Sequence, residues 1–320
     1  MNNHAFEFSD TRKGLLAALL VVICWSGFNI VSRFGSTATF TPFDLAAMRY
    51  GVSGALALPF FIKLVRPREW PRYAVLALFG GLGYGIFVYS GFAFAPSAHA
   101  GVFVNGGIPF WTVVIVAALA RFRIGPQTLS ALALSTAGLV LIGSQSLFAP
   151  SSEVEWIGDV LFLMAALCWA IFGLLMRRWQ IRPQVGIVGI ASFSLVTYLP
   201  VYLLWLPSNI AHASWDEIGL QAVYQGIIAA LVAAGMYSYA NQKIGACQAS
   251  MMLALVPVVS AIGGVLILDE SMDITTILGI VVVSTGALLG ALRLPVGMSL
   301  YTTPVTRPPR VASVRWRRRP

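Results

Sequence analysis

Long apolar segments, separated by short polar connections, run through almost the whole sequence. Hydrophobic residues make up 58% of the 320 residues and charged residues only 10%, whereas soluble domains carry roughly 25% charged residues. A membrane-spanning helix needs about 20 consecutive apolar residues. The sequence therefore predicts an all-α integral membrane protein, and it excludes a disordered chain, a collagen-like repeat and a small disulfide scaffold.

Ten segments are long and apolar enough to be candidate membrane spans, and they are numbered one to ten in chain order. They cover residues 14–33, 43–65, 73–94, 99–119, 127–145, 156–176, 185–206, 217–240, 247–268 and 274–292. The last stretch, 293–320, holds five prolines and seven arginines. It cannot bury a core, so it is predicted to be a flexible basic tail in the cytoplasm.

Basic residues alternate along the connections as they do in a multi-pass membrane protein. Thirteen Lys and Arg residues flank the termini or lie in the even-numbered connections, and the odd-numbered connections contain only Arg33. Lys and Arg accumulate on the cytoplasmic side. The pattern predicts that both termini are cytoplasmic. The net charge of +9 is then an insertion signal, and no nucleic-acid partner is expected.

The two halves of the sequence share matching positions about 145 residues apart. Cys24-Trp25 matches Cys168-Trp169, the Tyr89 to Pro109 spacing recurs as Tyr237 to Pro257, and an STAG stretch resembles a later STGA stretch. The matches predict two repeats, over residues 14–146 and 156–292. Because each repeat contains five spans, the second must be inverted relative to the first. Inverted repeats build a central site in many secondary transporters.

Several features together resemble the EamA-type transporters of the drug/metabolite transporter superfamily. These are the ten-span plan, Arg49 in LAAMRY, a proline in spans four and nine, and LILDESMDITTILGIVVVSTGALL across spans nine and ten. The resemblance implies export of small organic metabolites by alternating access, and the aromatic interior is similar to that of exporters of aromatic amino acids in the bacterial inner membrane. The first half departs from the pattern, with Arg121 and Arg123 where the second half has Glu270.

Aromatic and polar side chains inside the spans predict a cavity between the repeats. A lipid-facing indole, phenol or amide would leave its polar atom unpaired, so these groups should face protein or water. The candidates for solute contact are Trp169, Tyr84 and Asn105, then Trp25, Asn29, Trp111, Tyr224 and Met251. The candidates for gates or the cavity rim are Tyr89, Tyr237, Pro109 and Pro257. For each aromatic residue, ordinary helix packing remains an equal alternative.

Arg49 is the charge that lies deepest in a predicted span, about 9 Å from its end by helix rise. It could contact a solute carboxylate. The interpretation we favour is a structural arginine that binds carbonyls of neighbouring helices, since intramembrane charges need partners.

Ion-coupling and catalytic groups are missing from the middle of the predicted spans. All carboxylates lie outside the hydrocarbon or near span ends, and the histidines, His4, His99 and His212, are likewise terminal or in loops, with His99 at the first residue of span four. The sequence therefore predicts transport without obvious ion coupling. We expect no enzyme activity, cofactor or metal, and we expect a monomer in the lipid bilayer that binds a small molecule.

Other functions remain as alternatives. An exchanger of sugar phosphates or nucleotide sugars would need several deep basic residues, and Arg49 is the only candidate. Efflux of organic cations is a further possibility within transport. An intramembrane serine protease, suggested by Gly51-Val52-Ser53-Gly54, has no histidine at mid-depth. A channel filter, suggested by Gly83-Tyr84-Gly85, would need a re-entrant loop repeated around a pore.

Overall fold

The computed structural model describes residues 3–120, 126–148 and 154–292. Within these ranges the chain is helical, with short connections and no β-strand. The helices are α1 (Asn3–Ala38), α2 (Pro42–Leu64), α3 (Trp70–Ala77), α4 (Tyr84–Phe94), α5 (Ser97–Ala120), α6 (Pro126–Phe148), α7 (Glu155–Arg178), α8 (Pro183–Trp205), α9 (Trp215–Val223), α10 (Ala233–Leu253), α11 (Val256–Leu268) and α12 (Ile274–Leu292). The predicted tail, 293–320, and the two arginines between spans four and five lie outside the described residues.

These helices form the ten predicted spans. Eight of the helical segments are long and apolar enough to cross a membrane, and the fifth and tenth spans have shorter apolar cores, Leu129–Ser144 and Ile274–Leu289. The third and eighth spans are composite, because a π-helical segment joins α3 to α4 and α9 to α10. The ninth span consists of the end of α10 and all of α11, after a break at Gly245, whose φ is +82°. The ten-helix prediction is confirmed over the described ranges.

The two π-helical segments, Leu78–Gly83 and Tyr224–Val232, occur at corresponding places in the two repeats. Such segments are rare and are frequent at functional sites. The first is tied to the second span, since the Tyr50 hydroxyl donates a hydrogen bond to the Gly81 carbonyl at 2.6 Å. The shared irregularity is structural support for the internal repeat.

Helix packing follows the same repeat. The second span packs on the seventh and the fifth on the tenth, so two pairs of equivalent spans are in contact. The first span packs on the eighth and ninth, and its equivalent, the sixth, packs on the third and fourth. Each contact therefore has a counterpart in the other half. The two five-helix repeats interlock rather than forming separate bundles.

The two ends of the bundle are packed differently. We call the end where α1 begins the N-terminal face and the other end the opposite face. In the opposite half, residues of both repeats form one continuous core that includes Phe28, Tyr89, Phe162 and Tyr198. In the N-terminal half there are two smaller cores. One comes from the second, third, sixth and seventh spans, and the other, of small residues, from the first, eighth and ninth.

A buried carboxylate fixes the opposite face. Asp44 is fully buried in the first turn of α2. It accepts hydrogen bonds from Tyr202 at 2.6 Å, Ser208 at 2.7 Å and the Asn209 backbone at 3.0 Å, and from the Thr41 backbone at 2.8 Å. Because Tyr202, Ser208 and Asn209 belong to the seventh span and the connection after it, Asp44 holds the two repeats together there.

Candidate functional site

A cavity of about 90 Å³ lies between the two repeats. The first four spans of each repeat line it, and among the described residues the fifth and tenth spans contribute nothing. A water molecule needs roughly 10–15 Å³ of such space, so several waters or part of a small solute fit. Five of the predicted solute contacts line the cavity, namely Trp25, Asn29, Tyr84, Asn105 and Trp169, and Arg49 lines it as well.

Aromatic rings form two groups around this cavity. Trp169 packs against Tyr84 with ring centroids 4.9 Å apart and against Phe172 at 5.1 Å. Trp25, the repeat counterpart of Trp169, packs against Tyr237 at 5.6 Å. Trp25, Tyr84 and Trp169 are half-buried, so part of each side chain remains accessible to a further flat partner.

Two amides supply hydrogen-bonding capacity. The Asn29 side-chain nitrogen donates to the Ser260 hydroxyl at 2.9 Å, and that of Asn105 donates to the Gly101 carbonyl at 2.9 Å. These bonds use the nitrogen of each amide and leave the oxygen for another donor. The cavity can therefore accept hydrogen bonds from a bound amine.

Arg49 supplies the positive charge in the cavity. Its guanidinium carbon lies 5.4 Å from the centroid of the Phe28 ring and 5.9 Å from that of Tyr84, which is cation–π distance. The Tyr89 hydroxyl lies beside it. None of the ion pairs in the described part of the chain involves Arg49. The guanidinium is thus held by rings and a hydroxyl, with no carboxylate to neutralise it.

The cavity also contains a residue that the sequence analysis missed. The Ser194 hydroxyl is buried and has no hydrogen-bond partner, and Ser194 lines the cavity. The helices approach closely here, because a Cβ atom at Gly81 would lie 2.1 Å from the Ser194 hydroxyl oxygen. A buried hydroxyl without a partner is costly, and a solute with a polar group could satisfy it.

The site is asymmetric because the repeats differ at Arg49. Pro59 lies inside α2 and Pro200 inside α8, 141 residues later. When these prolines are aligned, Ile190 occupies the position in the second repeat that Arg49 occupies in the first, and both residues line the cavity. One wall is therefore cationic and the equivalent wall is aliphatic. The matching prolines were a sequence signal that could have given this register.

The remaining predicted contacts lie outside the cavity lining. The Trp111 indole donates to the Leu163 carbonyl at 3.0 Å, and the Tyr224 hydroxyl donates to the Cys24 carbonyl at 3.4 Å. Met251 is half-buried in the last turn of α10. In this conformation the Trp111 indole and the Tyr224 hydroxyl each join two helices.

The predicted gate residues flank the cavity. Tyr89 is fully buried toward the opposite face and donates to the Gln225 side chain at 2.9 Å. Tyr237 contacts Trp25 in the N-terminal half. The two prolines differ, since Pro257 is buried in the first turn of α11, whereas Pro109 is exposed inside a continuous α5.

His99 lies at the end of the fourth span, because α5 begins at Ser97 and places it in the first helical turn. It is buried, and its Nδ1 lies 2.8 Å from a carboxylate oxygen of Asp159. In the described part of the chain, no group of three or more His, Cys, Asp or Glu side chains is arranged to hold a metal.

Comparison with known proteins agrees with this architecture. The model of the EamA-like transporter family matches residues 12–144 and 156–291. An uncharacterized transporter of Archaeoglobus fulgidus is 25% identical to this chain, and the match covers 88% of this chain and 97% of the length of that transporter. The uncharacterized transporter YyaM of Bacillus subtilis is 24% identical, over 80% and 87%. One crystal structure, 21% identical, covers 87% of this chain and 97% of its own with a TM-score of 0.59, and supports the fold.

Proposed function

The chain belongs to the EamA-like transporter family, and on that premise we propose that it exports aromatic amino acids by alternating access. The observation that supports this most directly is Arg49, an unneutralised cation in a cavity that two tryptophans and two tyrosines also line. A zwitterion with a flat side chain matches both features. The proposed membrane is the bacterial inner membrane, with both termini in the cytoplasm and the protein as a monomer.

The cation accounts for the carboxylate of the solute. A guanidinium that rings partly enclose is screened less than one in water, so a carboxylate gains more from reaching it. The amide oxygens of Asn29 and Asn105 can accept hydrogen bonds from the amino group of the solute. The arrangement disfavours organic cations, because Arg49 would repel their positive charge and no carboxylate of the described residues lies beside Arg49 to bind it.

The rings account for the side chain of the solute. Trp169 and Tyr84 stand 4.9 Å apart at a tilt of 54°, and a flat ring can pack on either of them. Such contacts are worth about 0.5–1.5 kcal/mol beyond area burial. An aliphatic amino acid of similar size would lose part of that energy, so aromatic solutes should be preferred.

The packing difference between the two faces supports alternating access with entry from the N-terminal face. One continuous core closes the opposite half, whereas two separate cores meet in the N-terminal half. A solute from the cytoplasm would enter between the two smaller cores. Export then requires the repeats to rock, so that the N-terminal half closes and the opposite half opens.

Counterflow in proteoliposomes tests the proposal. Vesicles loaded with unlabelled L-tryptophan are diluted into labelled L-tryptophan, and uptake is compared with that into vesicles loaded with L-leucine, tryptamine or a hexose phosphate. We expect saturable counterflow, strongest with tryptophan and absent with tryptamine. Exchange of only the hexose phosphate would favour the sugar-phosphate alternative, and exchange of only tryptamine would favour cation efflux. Either result would contradict the proposal.

A further inference from the structure

A buried histidine–aspartate pair lies outside the solute cavity, at the opposite-face ends of the fourth and sixth spans. Nδ1 of His99 and Oδ1 of Asp159 are 2.8 Å apart, and the side chains are 6% and 5% exposed. The second carboxylate oxygen, Oδ2 of Asp159, is buried and has no hydrogen-bond partner. A carboxylate in this environment is strongly destabilised unless a positive charge stands beside it. A protonated imidazole is the group that can provide that charge.

An ion-pair network next to this pair connects other spans at the same face. The Arg33 guanidinium lies 3.5 Å from the Glu270 carboxylate and donates to the Phe92 carbonyl at 2.6 Å. The Ser97 hydroxyl and backbone N–H also donate to the same carboxylate, at 2.6 and 3.0 Å. The network ties the first span to the third, the fourth and the end of the ninth. We call it the latch.

The histidine and the latch face one another. A small cavity of about 20 Å³ is lined by both His99 and Glu270. Thr276 of the tenth span also lines it and binds the carboxylate of Asp273. From the sixth span, Glu155 lies one helical turn before Asp159 on the same side of the helix.

The balance of charge in this region is negative. Three carboxylates, those of Asp159, Glu155 and Glu270, act on His99. A fourth, that of Asp273, lies beyond Thr276, and Arg33 is the one basic side chain in the contacts given above. Opening the opposite face would separate these spans and hydrate the carboxylates. Closing it buries them again. The closed arrangement therefore gains more than the open one from a proton on the imidazole.

We propose that His99 and Asp159 form a proton-binding site that controls opening of the opposite face. Closure takes up one proton from the solution at that face, and opening releases it there. An imidazole in water titrates near pH 6.5. Above that pH, each further unit should shift the equilibrium toward the open opposite face by up to about tenfold, which is the limit for one linked proton.

The site differs from a coupling site for transport. The proton enters and leaves at the same face, and the buried Val102 and Phe103 separate His99 from Asn105 in the cavity along α5. External pH would therefore regulate the gate without carrying protons across the membrane. The regulatory role extends the proposed function but does not depend on which solute is exported.

Hydrogen–deuterium exchange tests the site without any solute. The purified protein in lipid nanodiscs is labelled at about pH 6 and about pH 8.5, on either side of imidazole titration, and rates are corrected for intrinsic exchange. Peptides from the junctions between spans three and four and between spans nine and ten report the opposite face. In the wild type we expect protection at the lower pH and faster exchange at the higher pH.

Two variants separate the roles of the pair. His99→Gln leaves the carboxylate without a cation, so we expect fast exchange at both pH values. Asp159→Asn removes the buried charge, so we expect protection at both. His212→Gln, an exposed histidine in the connection between spans seven and eight, is the matched control and should behave as wild type.

The outcomes that overturn the proposal are distinct from failure to transport. Equal wild-type protection at the two pH values would refute it, whatever the variants do. So would an unchanged pH dependence in Asp159→Asn, even if His99→Gln does not fold. Absence of tryptophan counterflow would reject the proposed function and leave the exchange result standing.

Discussion

Replacing Arg49 with glutamine gives the most direct test of how the cavity recognises its solute. The substitution Arg49→Gln keeps a polar side chain of moderate length but removes the charge. In the structure this charge has no carboxylate partner and lies over the rings of Phe28 and Tyr84. We therefore expect the loss to fall on solutes that bring their own carboxylate.

The size of the effect follows from the energy of a charge-assisted hydrogen bond. Such bonds contribute about 1.5–3 kcal/mol, which corresponds to a roughly 10- to 150-fold change in a binding constant. Arg49 is partly enclosed, so solvent screening should not reduce the effect to that of a surface ion pair. The half-saturating concentration of tryptophan in counterflow should rise by this factor in Arg49→Gln.

A comparison of two solutes isolates the carboxylate. Tryptamine has the indole and amino groups of tryptophan but no carboxylate, and its charge meets that of Arg49 in the wild type. The variant should therefore lose affinity for tryptophan, whereas tryptamine, a poor inhibitor of the wild type, should inhibit the variant more strongly. Inhibition of tryptophan counterflow by each compound measures this in both proteins. Arg72→Gln, an exposed arginine outside the cavity, is the matched control. If tryptophan affinity is unchanged in a folded Arg49→Gln, or if both solutes weaken equally, the carboxylate contact is refuted.

Three further predictions concern other parts of the molecule. Trp169→Ala removes about 0.5–1.5 kcal/mol of ring contact, so counterflow of aromatic amino acids should weaken by roughly 2- to 12-fold and that of leucine by less. The exposed Trp205→Ala should leave counterflow of both solutes unchanged, and equal losses for both solutes in Trp169→Ala would contradict ring stacking. Asp44→Asn replaces one acceptor oxygen by an N–H donor, so at least two of the hydrogen bonds that Asp44 accepts are lost, at about 1–3 kcal/mol each. The thermal unfolding temperature should fall clearly more than in the exposed Asp216→Asn, and similar shifts would contradict the role of Asp44 in holding the opposite face. Burial raises the pKa of the Asp273 carboxyl, but hydrogen bonds from the first turn of α12 outweigh this and lower the pKa below its ordinary value. The ionised carboxylate therefore stabilises the fold above about pH 4, and this stabilisation is lost at lower pH. Asp273→Asn should flatten the dependence of the unfolding temperature on pH between about pH 5 and 3, and an unchanged dependence would refute this role of Asp273.

The span count, the repeat and the family follow from the sequence because each rests on a property that repeats along the chain. Apolar length selects membrane spans regardless of their partners. An odd number of spans per repeat requires inversion of the second copy. The aromatic and amide residues that line the cavity were also predicted, since a polar atom in the hydrocarbon region must find a partner within the protein.

Predictions stayed open where the answer depends on contacts between distant segments. The sequence placed His99 at the start of the fourth span, but its partner Asp159 lies 60 residues away, and spacing gave no sign of the pair. Tyr224 and Trp111 share the amphipathic chemistry of the cavity residues, yet they bond to carbonyls of neighbouring helices. Residue type alone does not distinguish these environments.

The sequence by itself determined that this chain spans a membrane ten times and that its halves are related, because hydrophobic length and spacing are local properties. Only the tertiary structure decided which polar groups meet. It placed Arg49 against rings rather than a carboxylate, left the Ser194 hydroxyl without a partner, and buried His99 beside Asp159. The physical reason is that the energy of a charge or hydroxyl depends on what surrounds it in space, and helix packing brings those surroundings together from segments far apart in the chain.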